Sequence, residues 1–131
     1  MKTFFRPQRS LAKEVIRLLE RTDMKENVLL LFFDHEELFH TKLTCPELMV
    51  RALVTGRLAN FADYLQHIKA DCVSISYGML RPEDIEQIHS TGAAMALVDY
   101  WDQNGDLFQR YDIDVLSVPS PIDARRILKQ A

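Results

Sequence analysis

The chain has few cysteines, no long apolar run and no excess of positive charge. Cys45 and Cys72 are its only two thiols, and because their spacing is not that of metal ligands, we predict that they fill the core. A net charge of −3, with both signs mixed along the chain, argues against a nucleic-acid partner. The apolar run at 29–33 is too short for a membrane span, and residues 1–9 lack the apolar core of a signal peptide. We therefore expect a cytoplasmic protein that binds neither nucleic acid nor a membrane.

The composition is that of a folded domain. Hydrophobic residues make up 47% and charged residues 27% of 131 residues, which suffices for one ordinary domain with its own core. No linker, low-complexity segment or charge block divides the chain. We therefore predict a single domain over residues 1–131.

Short apolar runs alternate with amphipathic segments along most of the chain. Such alternation is typical of βαβ units, whose strands are parallel and whose crossovers are right-handed. Asp34, Asn60 and Ser120 precede three of the predicted helices and suit their N-caps, and Ser10 suits the first. The predicted helices are 11–21, 35–42, 61–68, one that follows a turn at 79–82 and ends at 91–92, and one that begins at Pro121. The predicted strands are 27–33, 47–54, 70–77, 93–99 and one within 113–118.

The first helix has a stripe of apolar residues. Leu11, Val15, Leu18 and Leu19 fall on one side of it, so we predict that this side packs on the core.

Three segments, at 28–38, 70–92 and 113–128, resemble segments of the glycerophosphodiester phosphodiesterases, in the same order and at the family's spacing. They read VLLLFFDHEEL, ADCVSISYGMLRPEDIEQIHSTG and IDVLSVPSPIDARRIL. The resemblance covers nearly the whole chain and implies a (β/α)8 barrel that hydrolyses glycerol phosphodiesters with a divalent metal. Such a barrel needs about 250 residues. The resemblance therefore implies an α/β fold, a partial TIM-type barrel of about five parallel strands with helices on the outer face, matching the family's C-terminal half.

The sequence departs from the family where that family carries its chemistry. We find no His-Arg-Gly, Glu-x-Asp or Glu-x-Lys motif of the family's first half. Phe32 stands where the family has serine, Val98 where it has tryptophan, and Val118-Pro119 where it has Thr-Asp. These departures predict that the chain binds no metal cofactor and is non-catalytic on its own, although a phosphodiesterase activity that needs a partner chain stays open.

Several residues near the predicted strand ends and the last helix are candidates for ligand binding. Loops after strands build the sites of barrel folds, and a helix start can hold an anion. Tyr100 and Trp101 could form the wall of a binding site, or they could simply cover the rim of the core. The candidate residues are Phe33, Tyr77, Asp99, Tyr100, Trp101 and Ser120.

Asp34, Glu37 and His40 form the densest polar cluster. Three ligands could come from one helix face, but divalent sites usually draw ligands from several elements. Asp34 as an N-cap, with Glu37 favoured by the helix dipole, explains the cluster without a metal.

A half-barrel leaves two sheet edges and one apolar sheet face to be covered. We expect a homo-oligomer, most simply a two-fold dimer, to cover them. Two alternatives remain: a separate chain could supply a front half-barrel, or the protein could be an unrelated small α/β regulatory protein.

Overall fold

The described residues form one sheet of five strands, and an α-helix lies between each pair of consecutive strands among the first four. The computed structural model describes residues 9–98, 111–118 and 120–130. In chain order the elements are α1 Arg9–Thr22, β1 Leu29–Phe32, α2 His35–Thr44, β2 Met49–Val54, α3 Phe61–Ile68, β3 Cys72–Ser76, α4 Pro82–Ser90, β4 Ala94–Val98, β5 Val115–Leu116 and α5 Pro121–Gln130.

All five strands are parallel and lie in the order β1-β2-β3-β4-β5. Neighbours along the chain are therefore neighbours in the sheet, as in the wall of a (β/α) barrel. Among the described residues the sheet does not close, so β1 and β5 are its outermost strands. This arrangement confirms the predicted partial barrel of five parallel strands.

Helices α1 to α4 pack on one face of the sheet. Every second strand residue faces them, because side chains alternate between the two faces of a strand. Val50, Val73 and Met95 lie under the helices and are fully buried, together with Leu65 and Ile88 from α3 and α4. This cluster is the main core.

Three of the four predicted N-caps are confirmed. The Asp34 carboxylate accepts hydrogen bonds from the backbone N–H groups of Glu36 and Glu37, at 3.0 and 3.2 Å. Asn60 and Ser120 cap α3 and α5 in the same way, each accepting from the N–H three residues ahead. The assignment of Ser10 was wrong: α1 already includes Arg9, so Ser10 lies inside the helix.

The predicted packing face of α1 was also wrong in part. Leu19 is buried against Cys45 and Leu48, but Leu11 and Leu18 are 55% and 54% exposed. The helix is rotated so that the centre of the buried side lies near Leu19. Leu11 and Leu18 consequently form an exposed flank.

No helix within residues 9–98, 111–118 and 120–130 combines the length and the apolar character that a membrane crossing requires.

Candidate functional site

The face of the sheet that points away from the helices is the candidate site. We call it the inner face. It is formed by the alternate strand residues that the helices do not cover: Leu29, Leu31, Met49, Arg51, Leu53, Cys72, Ser74, Ser76, Ala94, Ala96, Val98, Val115 and Ser117. In barrels this face becomes the interior, and sites form at its C-terminal rim.

The β1 side of the inner face is apolar and open. Leu29, Leu31 and Met49 are each at least two-fifths exposed. Phe33, which follows β1 directly, is 77% exposed. Large apolar side chains grouped in this way are unusual on a monomer surface.

The centre of the inner face is occupied by Arg51. Its Nε–H donates to the Ser74 hydroxyl on β3, and its Nη2–H donates to the Ser117 hydroxyl beyond β5, at 3.2 Å. Both contacts lie nearer the C-terminal ends of the strands than Arg51 itself, since Arg51 pairs in register with Cys72 and Leu53 with Ser74. The side chain thus crosses the sheet diagonally toward the rim.

Small residues make room for this arginine. Cys72, Ser74 and Ala96 are almost completely buried although none of the described helices lies on their side of the sheet. Burial outweighs the attraction of Arg51 and raises the pKa of the Cys72 thiol to about 11. Cys72 and Cys45 are both buried and unpaired, in agreement with their predicted role as core-filling residues.

The predicted ligand-binding residues are only partly placed. Phe33 is exposed at the C-terminal end of β1, and Tyr77 begins a short 3₁₀ turn after β3. The Ser120 hydroxyl donates to the Asp123 carboxylate at 2.7 Å while it caps α5. Asp99, Tyr100 and Trp101 lie outside the described residues. That these six residues bind a ligand stays a prediction.

The side chains of the polar cluster of Asp34, Glu37 and His40 make separate contacts. Asp34 caps α2, and His40 pairs with Glu36 at 3.6 Å. Glu37 is buried between α1 and α2, and its Oε2 has no hydrogen-bond partner among the described residues. Among the described residues, no three His, Cys, Asp or Glu side chains are grouped as metal ligands.

Two polar clusters that the sequence analysis missed lie beside the C-terminal end of β2. The His35 ring contacts the Tyr64 hydroxyl through Nδ1 and the Leu53 carbonyl through Nε2, the latter at 2.7 Å. Burial raises the pKa of Tyr64. Since these partners are 18 to 29 residues apart, no local sequence signal identifies them.

The second missed cluster joins Arg57 to Asp84 by two hydrogen bonds. Arg57 Nη2–H donates to Asp84 Oδ1 at 2.9 Å, and Nη1–H donates to Oδ2. Asp84 is only 2% exposed and also accepts from the backbone N–H of Arg81. This pair ties the loop after β2 to the start of α4.

Known structures have the same architecture. A glycerophosphodiester phosphodiesterase from Parabacteroides distasonis is 16% identical with a TM-score of 0.80, and the alignment covers 92% of this chain and 51% of that one. A Galdieria sulphuraria protein assigned to the same enzyme class is 20% identical with a TM-score of 0.82, over 95% of this chain and 52% of that one. The fold is that of half a glycerophosphodiester phosphodiesterase.

A third structure, an Oleispira antarctica phosphodiesterase in complex with sn-glycerol-3-phosphate, is 18% identical with a TM-score of 0.66, over 95% of this chain and 52% of that one. This chain thus spans about half the length of the structures it matches. No model of a known protein family matches it, and no curated protein does. At such identities the likeness establishes the fold, and the activity has to be argued from the residues.

Proposed function

We propose that this chain is a non-catalytic half-barrel that acts as a binding module and associates with a second copy of itself. The observation that carries the proposal is the open apolar surface at the β1 edge of the sheet. It has two parts: the exposed residues of the inner face, and the exposed flank of α1.

The flank of α1 lies on the side of the free edge. Ala12, Lys13 and Ile16 line a cavity of about 250 Å³ that α1 shares with α2, so this side of α1 faces α2. Leu11 and Leu18 lie roughly 150° around the helix from Ile16. They therefore face away from α2, beyond β1, where the next helix of a complete barrel would pack.

Leu29, Leu31 and Met49 provide the second part of the surface, on the inner side of the same edge. Among the described residues β1 pairs with a strand on one side only, and exposed apolar residues lie on both sides of its other edge; such an edge favours association with a further strand. A two-fold arrangement would place β1 of each copy beside β5 of the other and cover both edges of both sheets. An interface of this kind should bury roughly 2,000 Å² or more.

The mass in solution tests the association. Light scattering at micromolar concentration should give twice the chain mass of 15.2 kDa. Leu18→Asp should shift the protein toward the monomer, because it places a charge in the proposed interface. Leu43→Asp is the matched control: Leu43 is 51% exposed, but it lies on α2 away from the β1 edge. A wild-type monomer, or equal effects of the two substitutions, would contradict the association.

The absence of catalysis needs its own assay. Metal stabilisation of phosphoryl charge is a main resource of phosphodiester hydrolysis, and the described residues offer no grouped metal ligands. We expect no hydrolysis of glycerophosphodiesters with Mg²⁺ or Ca²⁺. Turnover that survives purification and is abolished by a point mutation would contradict this expectation, and turnover only after addition of another chain would favour the partner-dependent enzyme.

A further inference from the structure

We propose that Arg51, with the Ser117 hydroxyl, binds a small-molecule oxyanion, a phosphate or carboxylate group, on the inner face of the sheet. The proposal does not require self-association, since all the groups that it uses come from one chain.

The first argument is the charge of Arg51. It is partly buried, and it is the only charged side chain on the inner face among the described residues. It forms no ion pair within the part of the chain that the structure describes. The other partly buried cations of the described residues do: Lys42 lies 2.6 Å from Asp71, and Lys25 lies 2.9 Å from Glu47. A partly desolvated guanidinium is stabilised by an anion, and none of the described residues supplies one, so we expect a bound anion beside Arg51.

The second argument is the geometry of the guanidinium. Arginine has five N–H donors, and the hydroxyls of Ser74 and Ser117 occupy only two of them. These hydroxyls come from β3 and from the residue after β5, so they hold the side chain in place from two strands. The remaining donors are preorganised for the oxygens of a carboxylate or a phosphate.

The third argument concerns the serine hydroxyls. A hydroxyl that accepts from arginine keeps its own proton to donate. Ser74 is fully buried, but Ser117 is partly exposed and lies nearer the rim. An oxyanion bound by the remaining N–H groups of Arg51 can therefore accept a further hydrogen bond from the Ser117 hydroxyl.

Titration with inorganic phosphate at constant ionic strength, with chloride as the balancing anion, tests this site. We expect phosphate to raise the thermal unfolding midpoint of the wild type and to give a binding isotherm by calorimetry. Arg51→Met should weaken the binding by about tenfold or more, because charge-assisted hydrogen bonds are lost. Arg125→Met, which removes an exposed charge from α5, should bind like the wild type.

Ser117→Ala gives a second variant if Arg51→Met does not fold. It keeps the charge of Arg51 and removes one hydroxyl, and we expect binding several-fold weaker than in the wild type. Acetate in place of phosphate shows which oxyanion is preferred, and saturable binding of either one supports the site. Absence of binding of both up to tens of millimolar, or equal binding by Arg51→Met, would overturn it.

The result of the anion titration can be distinguished from the result of the test for self-association. The same titration with Leu18→Asp, whose substitution lies on α1 and not on the inner face, reports anion binding in the monomer. Anion binding by a protein that is always monomeric would support the site and contradict the association. A stable dimer that binds neither phosphate nor acetate would contradict the anion site and support the association.

Discussion

The two faces of the sheet are built from alternate residues of the same strands, yet they differ in cover and in chemistry. On the helix side, Val50, Val73 and Met95 are fully buried by helices of the same chain. On the inner side, Leu31 and Met49 are nearly half exposed, and a lone arginine crosses the centre. The strand residues on the helix side are covered within one chain, whereas on the inner side the fully buried ones among the described residues are the small side chains at the centre, beside Arg51.

The largest effect should come from the ion pair on the helix side. Arg57→Ala leaves the buried Asp84 carboxylate without its partner, and we expect a loss of about 3–5 kcal/mol in the free energy of unfolding. Urea denaturation measures it. Arg17→Ala, which breaks the exposed pair with Glu14, should change stability by less than about 1 kcal/mol. If the two variants proved equally stable, the Arg57–Asp84 pair would not hold the loop after β2 to α4.

A pair of leucines compares the two faces directly. Leu65→Ala removes a buried side chain of α3 and should cost about 2–5 kcal/mol at any protein concentration. Leu31→Ala removes a side chain that is 45% exposed on the inner face, and we expect under about 1 kcal/mol at concentrations where the protein is monomeric.

The dependence on concentration sharpens this comparison. If the inner face is covered by a second copy, the cost of Leu31→Ala should grow as the dimer forms. Equal costs for Leu31→Ala and Leu65→Ala in dilute solution would mean that one chain covers its own inner face.

The smallest effect concerns pH and the loop that leads into β5. Burial raises the pKa of Asp114, but the Met95 N–H, at 2.7 Å, and the His89 ring, at 2.8 Å, lower it by more. The pKa of Asp114 in the folded protein is thus below its unfolded value. The carboxylate therefore stabilises the fold above about pH 4, and that contribution disappears as the pH falls through the folded pKa.

Asp114→Asn isolates this contribution. We expect it to lower the free energy of unfolding by about 1 kcal/mol at neutral pH, with a smaller difference from the wild type as the pH falls below about 4. Unfolding curves of the two proteins between neutral and acidic pH measure the difference. A difference that does not change with pH would assign the effect to packing instead of charge.

Local signals predicted the elements well. Asp34, Asn60 and Ser120 were identified as N-caps because a cap depends on residues within one helical turn. The five parallel strands followed from the alternation of apolar runs with helices. The orientation of α1 was predicted wrongly because Leu11 and Leu18 have the spacing of a buried helix face. Whether such a face is buried depends on the elements that pack beside it, and the sequence of the helix does not specify these.

The candidate site was predicted less well. Phe33 lies at a strand end, as the sequence predicted, but Arg51 was not among the predicted site residues. Its contacts are 23 and 66 residues away in the chain, so they depend on the register of strands that no local pattern specifies. One signal was present: an arginine in an otherwise apolar strand, between Val50 and Ala52.

The amino-acid sequence alone determined where the helices and strands lie and that the strands are parallel, because caps, periodicity and strand-helix alternation act over a few residues. Only the tertiary structure decided which leucines are covered, that Leu18 and Leu31 are exposed on either side of the β1 edge, and that Arg51 reaches Ser117. These features depend on how distant segments align in the sheet. Burial and charge pairing follow from that alignment, and a side chain of the same type can be core at Leu65 and open surface at Leu31.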